Sequence, residues 1–178
     1  AGSPVSHRNL WREFEAAGLP RERLIFAKRV KVRQHLRRAA LCDIAVDTPE
    51  YNSGATAADT LYAGIPVVHF PGNKAVGRML SAMLSSLRMP QLIVRDREEY
   101  RKLLIALLGE STRRRRDGKR SKIEALKSTL RKGILWEPLY DVARWVADFE
   151  TLCRIMWDTH VAGYPVMHNV PTRPTHLF

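Results

Sequence analysis

The chain has little of what would commit it to a disulfide framework, a membrane or a standard nucleotide fingerprint. Its 178 residues include two cysteines, Cys42 and Cys153, too few and too far apart for a disulfide scaffold or a cysteine-based metal site. Both sit among apolar residues, which predicts buried free thiols and favours the intracellular side. No apolar run approaches the ~18–20 residues of a membrane span, and the first residues carry no charged-then-apolar leader. The patterns G-x-G-x-x-G, G-K-[ST], H-E-x-x-H and G-x-S-x-G are missing. The usual signals for dinucleotide, P-loop, zinc-protease and serine-hydrolase sites are therefore missing too.

Negative charge is also scarce. Asp and Glu number 18 against 30 Lys and Arg, a net charge of +12. Such a balance implies an anionic partner (a nucleotide, an acidic protein or a nucleic acid) or a local cluster. Seven cations occupy the ten positions from Arg113 to Lys122 and supply much of the excess. A run of this kind is a solvated loop or helix edge, a nuclear-import signal, or a patch for acidic protein or nucleic acid. No aromatic residue is interleaved in it for base stacking, which counts against nucleic acid.

What is present is an alternation of short apolar runs with helical patterns. Helices are expected over 8–17, 31–42, 56–63, 75–88, 97–108, 121–132 and 140–161. Strands are expected at Leu24–Phe26, Ile44–Val46, Val67–Phe70 and Leu92–Val94. The last helix carries Val142, Trp145, Val146, Phe149, Leu152, Cys153 and Trp157 at helical spacing. From Gly163 the chain has three prolines and no periodicity, so residues 163–178 read as an irregular tail. The fold class is α/β: a Rossmann-like parallel sheet flanked by helices. One domain is expected over 1–162, with the basic run inserted at about 111–121. Four strands are few, and the chain begins with a helix where such units begin with a strand. It is therefore expected to belong to a larger enzyme or to pair with another chain.

Open parallel sheets bind ligands at the C-terminal ends of their strands. After Phe26 come Lys28, Arg29, Lys31, His35 and Arg38, with His35 and Arg38 on one helix face. After Val46 comes a turn with Asp47, Asn52, Ser53, Gly54, Thr56 and Asp59. It opens a helix whose N-terminal N–H groups suit a phosphate. Gly54 and Ala55 let a diphosphate approach the backbone, Thr56 adds a hydroxyl, and Asp59 stands where a carboxylate can accept from a ribose. Each has a plainer alternative. Thr56 with Asp59 fits the [ST]-x-x-[DE] capping pattern, which needs no ligand. His35 and Arg38 also fit a solvated basic helix.

The order R-L-I-F-x8-H-L-R-R-x4-D-I-A-V-D-T-P-x2-N-x3-T-x2-D-x-L-x-A-G-x-P-V-V-x-x-P-G, from Arg23 to Gly72, resembles the C-terminal catalytic half of the O-GlcNAc transferase/SPINDLY family. The likeness continues through Arg78, L-I-V-x-D-R-E-E-Y and M-W-D-x-H-x-A-G. It implies a two-domain, GT-B type glycosyltransferase that moves a sugar from a nucleotide donor, UDP-GlcNAc, to Ser/Thr of nuclear and cytoplasmic proteins. The transfer would be inverting, with no metal and no cofactor besides the donor. By the resemblance, His35 stacks on uracil, Arg38 contacts the base, and Val30 sits where a backbone group reads the uracil edge. Thr56 lies at the diphosphate and Asp59 at the ribose.

The departures matter as much. The family's turn histidine falls on Gly54, its first threonine on Ala55, and a family lysine on Val32, with Lys31 adjacent. Losing two charge-assisted bonds would weaken diphosphate binding by several hundred-fold at ~1.5–3 kcal/mol each, unless backbone donors and Lys31 compensate. Asp59 with Arg78 leans toward the O-GlcNAc branch; the O-fucosyl branch, with GDP-fucose, resembles it with Glu at the first place. In the family the proposed base and the acceptor groove lie in the N-terminal catalytic half, so no catalytic residue is assigned in this chain. The alternative is a degenerate module that binds acidic protein or nucleic acid through its basic run.

Overall fold

The computed structural model describes residues 3–112 and 121–170. The cations from Arg113 to Arg120 and the last eight residues lie outside the described residues.

Seven α-helices and two short strands, with four 3-10 turns between them, are described. They are α1 (Pro4–Ala16), α2 (Val32–Ala39), β1 (Ala45–Val46), α3 (Ala55–Tyr62), β2 (Val67–Val68), α4 (Met79–Ser86), α5 (Arg97–Thr112), α6 (Lys122–Trp136) and α7 (Val142–Val161). Local chemistry sets several boundaries. Ser3 caps α1 through Ser6 N–H, with Pro4 in the first turn, where a missing N–H costs nothing. Ser121 and Glu124 form a reciprocal capping box on α6. Gly64, at φ +78°, closes α3 as its sequence position predicts.

The sheet is smaller than expected. β1 and β2 pair in parallel, with Ala45 opposite Val67 and Val46 opposite Val68. The expected strand at 92–94 contributes a single parallel bridge, His69 to Ile93. His69 N–H donates to Leu92 O at 2.9 Å, and Val94 N–H to His69 O at 2.9 Å. The expected strand at 24–26 pairs with nothing described. Its Phe26 ring instead stacks on His7 at 3.8 Å between centroids and meets the edge of Trp11 at 5.1 Å. Aromatic contact with α1 holds this segment in place of a backbone ladder.

The core gathers where helices cover β2. Leu61 from α3, Val67 and Val68, Leu80 and Leu84 from α4, Leu92, Leu107 from α5, and Ile123 and Leu130 from α6 form one buried cluster. α7 stands apart from it. Its approach is anchored: Tyr140 Oη donates to Ala58 O at 2.7 Å and its ring meets Tyr62 edge-on at 5.4 Å. Burial pushes the Tyr140 phenol up, with the Asp59 carboxylate adding to the rise. Beyond that anchor none of α7's residues is buried. Trp145 is 63% and Phe149 51% exposed, and the two rings stack in parallel at 5.2 Å. The apolar stripe expected at 142–157 therefore faces away from the core.

Both cysteines are exposed, which corrects the expectation of buried thiols. Cys42 sits in the turn after α2, and Cys153 lies on the uncovered side of α7. Among the described residues no helix is long and apolar enough to cross a membrane.

Candidate functional site

The turn between β1 and α3 is held by a polar cluster centred on Asp47, which is 3% exposed. Asn52 Nδ2 donates to Asp47 Oδ2 at 2.7 Å and to Thr48 O at 3.1 Å. Ser53 donates its N–H and its hydroxyl to Asp47 Oδ1 at 3.0 and 3.1 Å. His69 Nδ1 lies 3.0 Å from Asp47 Oδ2, and its Nε2 lies 2.8 Å from Ser81 Oγ. An ionised carboxylate can only accept, so Nδ1 carries the proton and Nε2 accepts from the Ser81 hydroxyl. Burial pushes the His69 imidazole down, against the opposing pull of Asp47. Leu80 N–H donates to Asn52 Oδ1 at 3.3 Å, and Tyr100 Oη to Asp47 O at 2.8 Å. Burial, then the nearby Asp47 charge, raises the Tyr100 phenol. The Asp47 carboxylate thus joins the ends of β1 and β2, its main-chain carbonyl holds α5 through Tyr100, and Asn52 and His69 extend the cluster to the first turn of α4.

A second brace crosses the same turn. Gly72 N–H donates to Gly77 O at 2.9 Å, and this loop presses on Pro49. A Cβ at Gly72 would sit 2.1 Å from Pro49 O, a separation that only glycine avoids.

The turn ends at Gly54, which caps α3 at φ +49°, ψ −120° without a side-chain hydrogen bond. The capping alternative for Thr56 and Asp59 is therefore replaced: Thr56 lies inside the first turn and its carbonyl accepts from Thr60 Oγ1 at 2.8 Å. Thr56 N–H donates to Ser53 O, while Ala57 and Ala58 N–H donate to Gly54 O. The N–H groups of Gly54 and Ala55 have no acceptor among the described residues. They are the two positions at which the resemblance finds side-chain donors missing.

α2 packs against α3, so the two parts of the expected site are adjacent. His35 and Arg38 are both half-buried on α2. Arg38 Nη1 donates to Lys28 O at 2.7 Å, which ties α2 to the loop before it. Lys31 caps α2 with its backbone, its carbonyl accepting from Gln34 and His35 N–H. Val30 is partly exposed beside it. Asp59 is half-buried on α3. Outside this group lies a cleft of about 390 Å³ beyond the ends of both strands, lined in part by Glu50, Asn73, Lys74 and Arg97. None of His35, Arg38, Thr56 or Asp59 lines it. Among the described residues no group of three or more His, Cys, Asp or Glu side chains is placed to hold a metal ion.

Sequence reasoning singled out Asp47, Asn52 and Ser53 as turn residues but missed His69, Ser81 and Tyr100. They stand 22, 34 and 53 positions from Asp47. A histidine inside an otherwise apolar strand, V-V-H-F, is the one signal that pointed there.

A small parallel sheet under helices, with a braced turn leading into a helix N-terminus, places the described residues in the α/β class. The fold matches that of a solved O-GlcNAc transferase variant from Thermobaculum terrenum with a TM-score of 0.73 and 26% identity, over 87% of this chain and 28% of that one. Residues 4–147 match the profile of glycosyl transferase family 41, and the chain belongs to that family. Among curated relatives, it is 29% identical over 167 residues to the probable UDP-N-acetylglucosamine–peptide N-acetylglucosaminyltransferase SEC of Arabidopsis thaliana. It is 28% identical over 151 residues to the Caenorhabditis elegans UDP-N-acetylglucosamine–peptide N-acetylglucosaminyltransferase. These alignments take in 93% and 85% of this chain, but only 16% and 12% of those proteins.

Proposed function

We propose that this chain is the donor-binding part of a protein O-glycosyltransferase of the two-domain, GT-B type. Its donor is UDP-GlcNAc, and its acceptors are Ser/Thr hydroxyls of cytoplasmic or nuclear proteins. The donor domain spans residues 1–162, with a basic insertion at about 111–121 and the irregular tail following. Uracil stacks on His35, with Arg38 beside it and the backbone of Val30 on the base edge. The diphosphate lies on the N–H groups of Gly54 and Ala55, with Thr56 and Lys31 near it, and Asp59 accepts from the ribose. The general base and the acceptor groove belong to an N-terminal catalytic half or a second chain. The chemistry is inverting and independent of metal: the acceptor oxygen bonds to the sugar's anomeric carbon, the bond to the diphosphate breaks, and the departing UDP keeps the electron pair. Donors aimed at that diphosphate stabilise the charge that develops on it.

The observation that carries this proposal is the pair of free N–H groups at Gly54 and Ala55, at the start of a helix packed against the one bearing His35 and Arg38. The Arabidopsis and Caenorhabditis relatives are named as UDP-N-acetylglucosamine transferases, which favours UDP-GlcNAc over GDP-fucose. Calorimetric titration with UDP and with GDP tests it. UDP is expected to bind and GDP to bind at least tenfold more weakly. His35→Ala is expected to weaken UDP by about tenfold, the scale of one lost base stack. Preference for GDP moves the chain to the O-fucosyl branch. No binding of either nucleotide by the folded chain supports the degenerate-module alternative.

A further inference from the structure

His69 is wholly buried and bonded at both ring nitrogens, yet nothing in the proposed chemistry uses it. Ser81, His69 and Asp47 stand in the order and at the distances of a nucleophile–base–acid relay. The imidazole, however, has no exposed surface, so it cannot hand a proton to a leaving group from solvent. What the relay does reach is the turn. His69 holds Asp47 Oδ2, and Asp47 Oδ1 holds the Ser53 N–H and hydroxyl. Ser53 O in turn accepts from Thr56 N–H. That carbonyl and the Gly54 N–H belong to one planar peptide, so fixing one aims the other. Gly54 O, held by Ala57 and Ala58 N–H, fixes the next peptide and so aims the Ala55 N–H.

We propose that His69 is a positioning residue of the donor site: through Asp47 it fixes Ser53 and so aims the Gly54 N–H at the donor diphosphate, beside the Ala55 N–H that the first turn of α3 holds. The proposal rests on the donor-binding function above. Its consequence is that the bond to Asp47 matters for the ligand, whereas the bond to Ser81 matters only for packing.

Two variants separate the bonds. Asn at position 69 presents its amide nitrogen where Nδ1 stands and keeps the donor to Asp47. Gln presents its amide at the place of Nε2, keeps the link to Ser81 and leaves Asp47 Oδ2 one donor short. UDP titration of the 178-residue chain is expected to show His69→Asn within about threefold of wild type. His69→Gln should be weaker by about tenfold or more, the scale of one hydrogen bond to a charged group. Leu84→Ala, a core change that removes none of the turn's hydrogen bonds, calibrates what lost stability alone does to affinity. Equal affinities for the Asn and Gln variants overturn the proposal while leaving donor binding intact. Absence of UDP binding by the wild type overturns both. A measurement on the unligated wild type covers the case in which a variant fails to fold. Imidazole nitrogen resonances are expected to show His69 protonated at Nδ1, and protonation at Nε2 contradicts the proposal outright.

Discussion

α4 and α7 both carry apolar residues at helical spacing, and they end in opposite situations. α4 is 8 residues long and fully buries Leu80 and Leu84 in the core cluster. α7 is 20 residues long and buries none. On α7 the half-buried positions are Asp148, Leu152, Ile155 and Thr159, while Val142, Trp145, Val146, Phe149 and Trp157 face outward. Helical periodicity thus tells that a helix has an apolar side, and not whether that side meets the rest of the same chain. What distinguishes α4 is its set of neighbours. It packs against the turns at 75–77, 90–92 and 138–140, and Leu80 N–H and Ser81 Oγ are bonded to Asn52 and His69 across the sheet end. α7 follows the Tyr140 anchor, whose hydroxyl donates to Ala58 O.

The sharpest way to break this contrast is a pair of truncations. Leu84→Ala empties a site with no solvent exposure and is expected to cost about 2–5 kcal/mol in denaturant unfolding. A cost below 1 kcal/mol would mean that α4 is not the core helix described here. Next is Gly72→Ala, which forces a methyl group onto Pro49 O and is expected to cost about 1–3 kcal/mol. Its thermal midpoint should fall by roughly 2–4 °C for each kcal/mol, and an unchanged midpoint would show that the brace over the turn before α3 is slack.

The pH dependence comes from His69. Its folded pKa is held below the value of a free histidine, so between the two values the unfolded chain binds the extra proton. Stability is therefore fully present above about pH 6.5 and erodes as the pH falls toward the lowered folded value, by at most about 1.4 kcal/mol per unit for a single group. His69→Asn should remove this component from a series of unfolding curves between pH 7 and pH 5. At the small end, Trp145→Ser on α7 is expected to shift stability by less than about 0.5 kcal/mol. A loss like that of Leu84→Ala would show that the stripe is covered.

Most helices were legible in the sequence because stop signals bracket their apolar patterns. Gly64 and Pro66 close α3, Pro90 follows α4, and Ser121 opens α6. The strand at 24–26 was not, because a three-residue apolar run carries no information about whether a neighbouring strand exists to pair with it. The expected burial failed for Cys153 with α7, whose outward-facing apolar stripe it shares, and for Cys42 because it stands in the exposed turn after α2. Of the candidate site, the turn was legible through its Asp, Asn, Ser and Gly residues, and the expected adjacency of α2 and α3 is found. The buried links from Asp47 to His69 and Tyr100 were not legible. Contacts that distant in sequence leave no local trace except one histidine in an apolar strand.

The central claim is that the start of α3 receives a diphosphate on the Gly54 and Ala55 N–H groups. Backbone amide resonances followed during a UDP titration test it most directly. The account predicts saturable shifts at Gly54 and Ala55, accompanied by His35 on α2. Shifts confined to Asn73, Lys74 and Arg97, around the cleft beyond the strand ends, would contradict it.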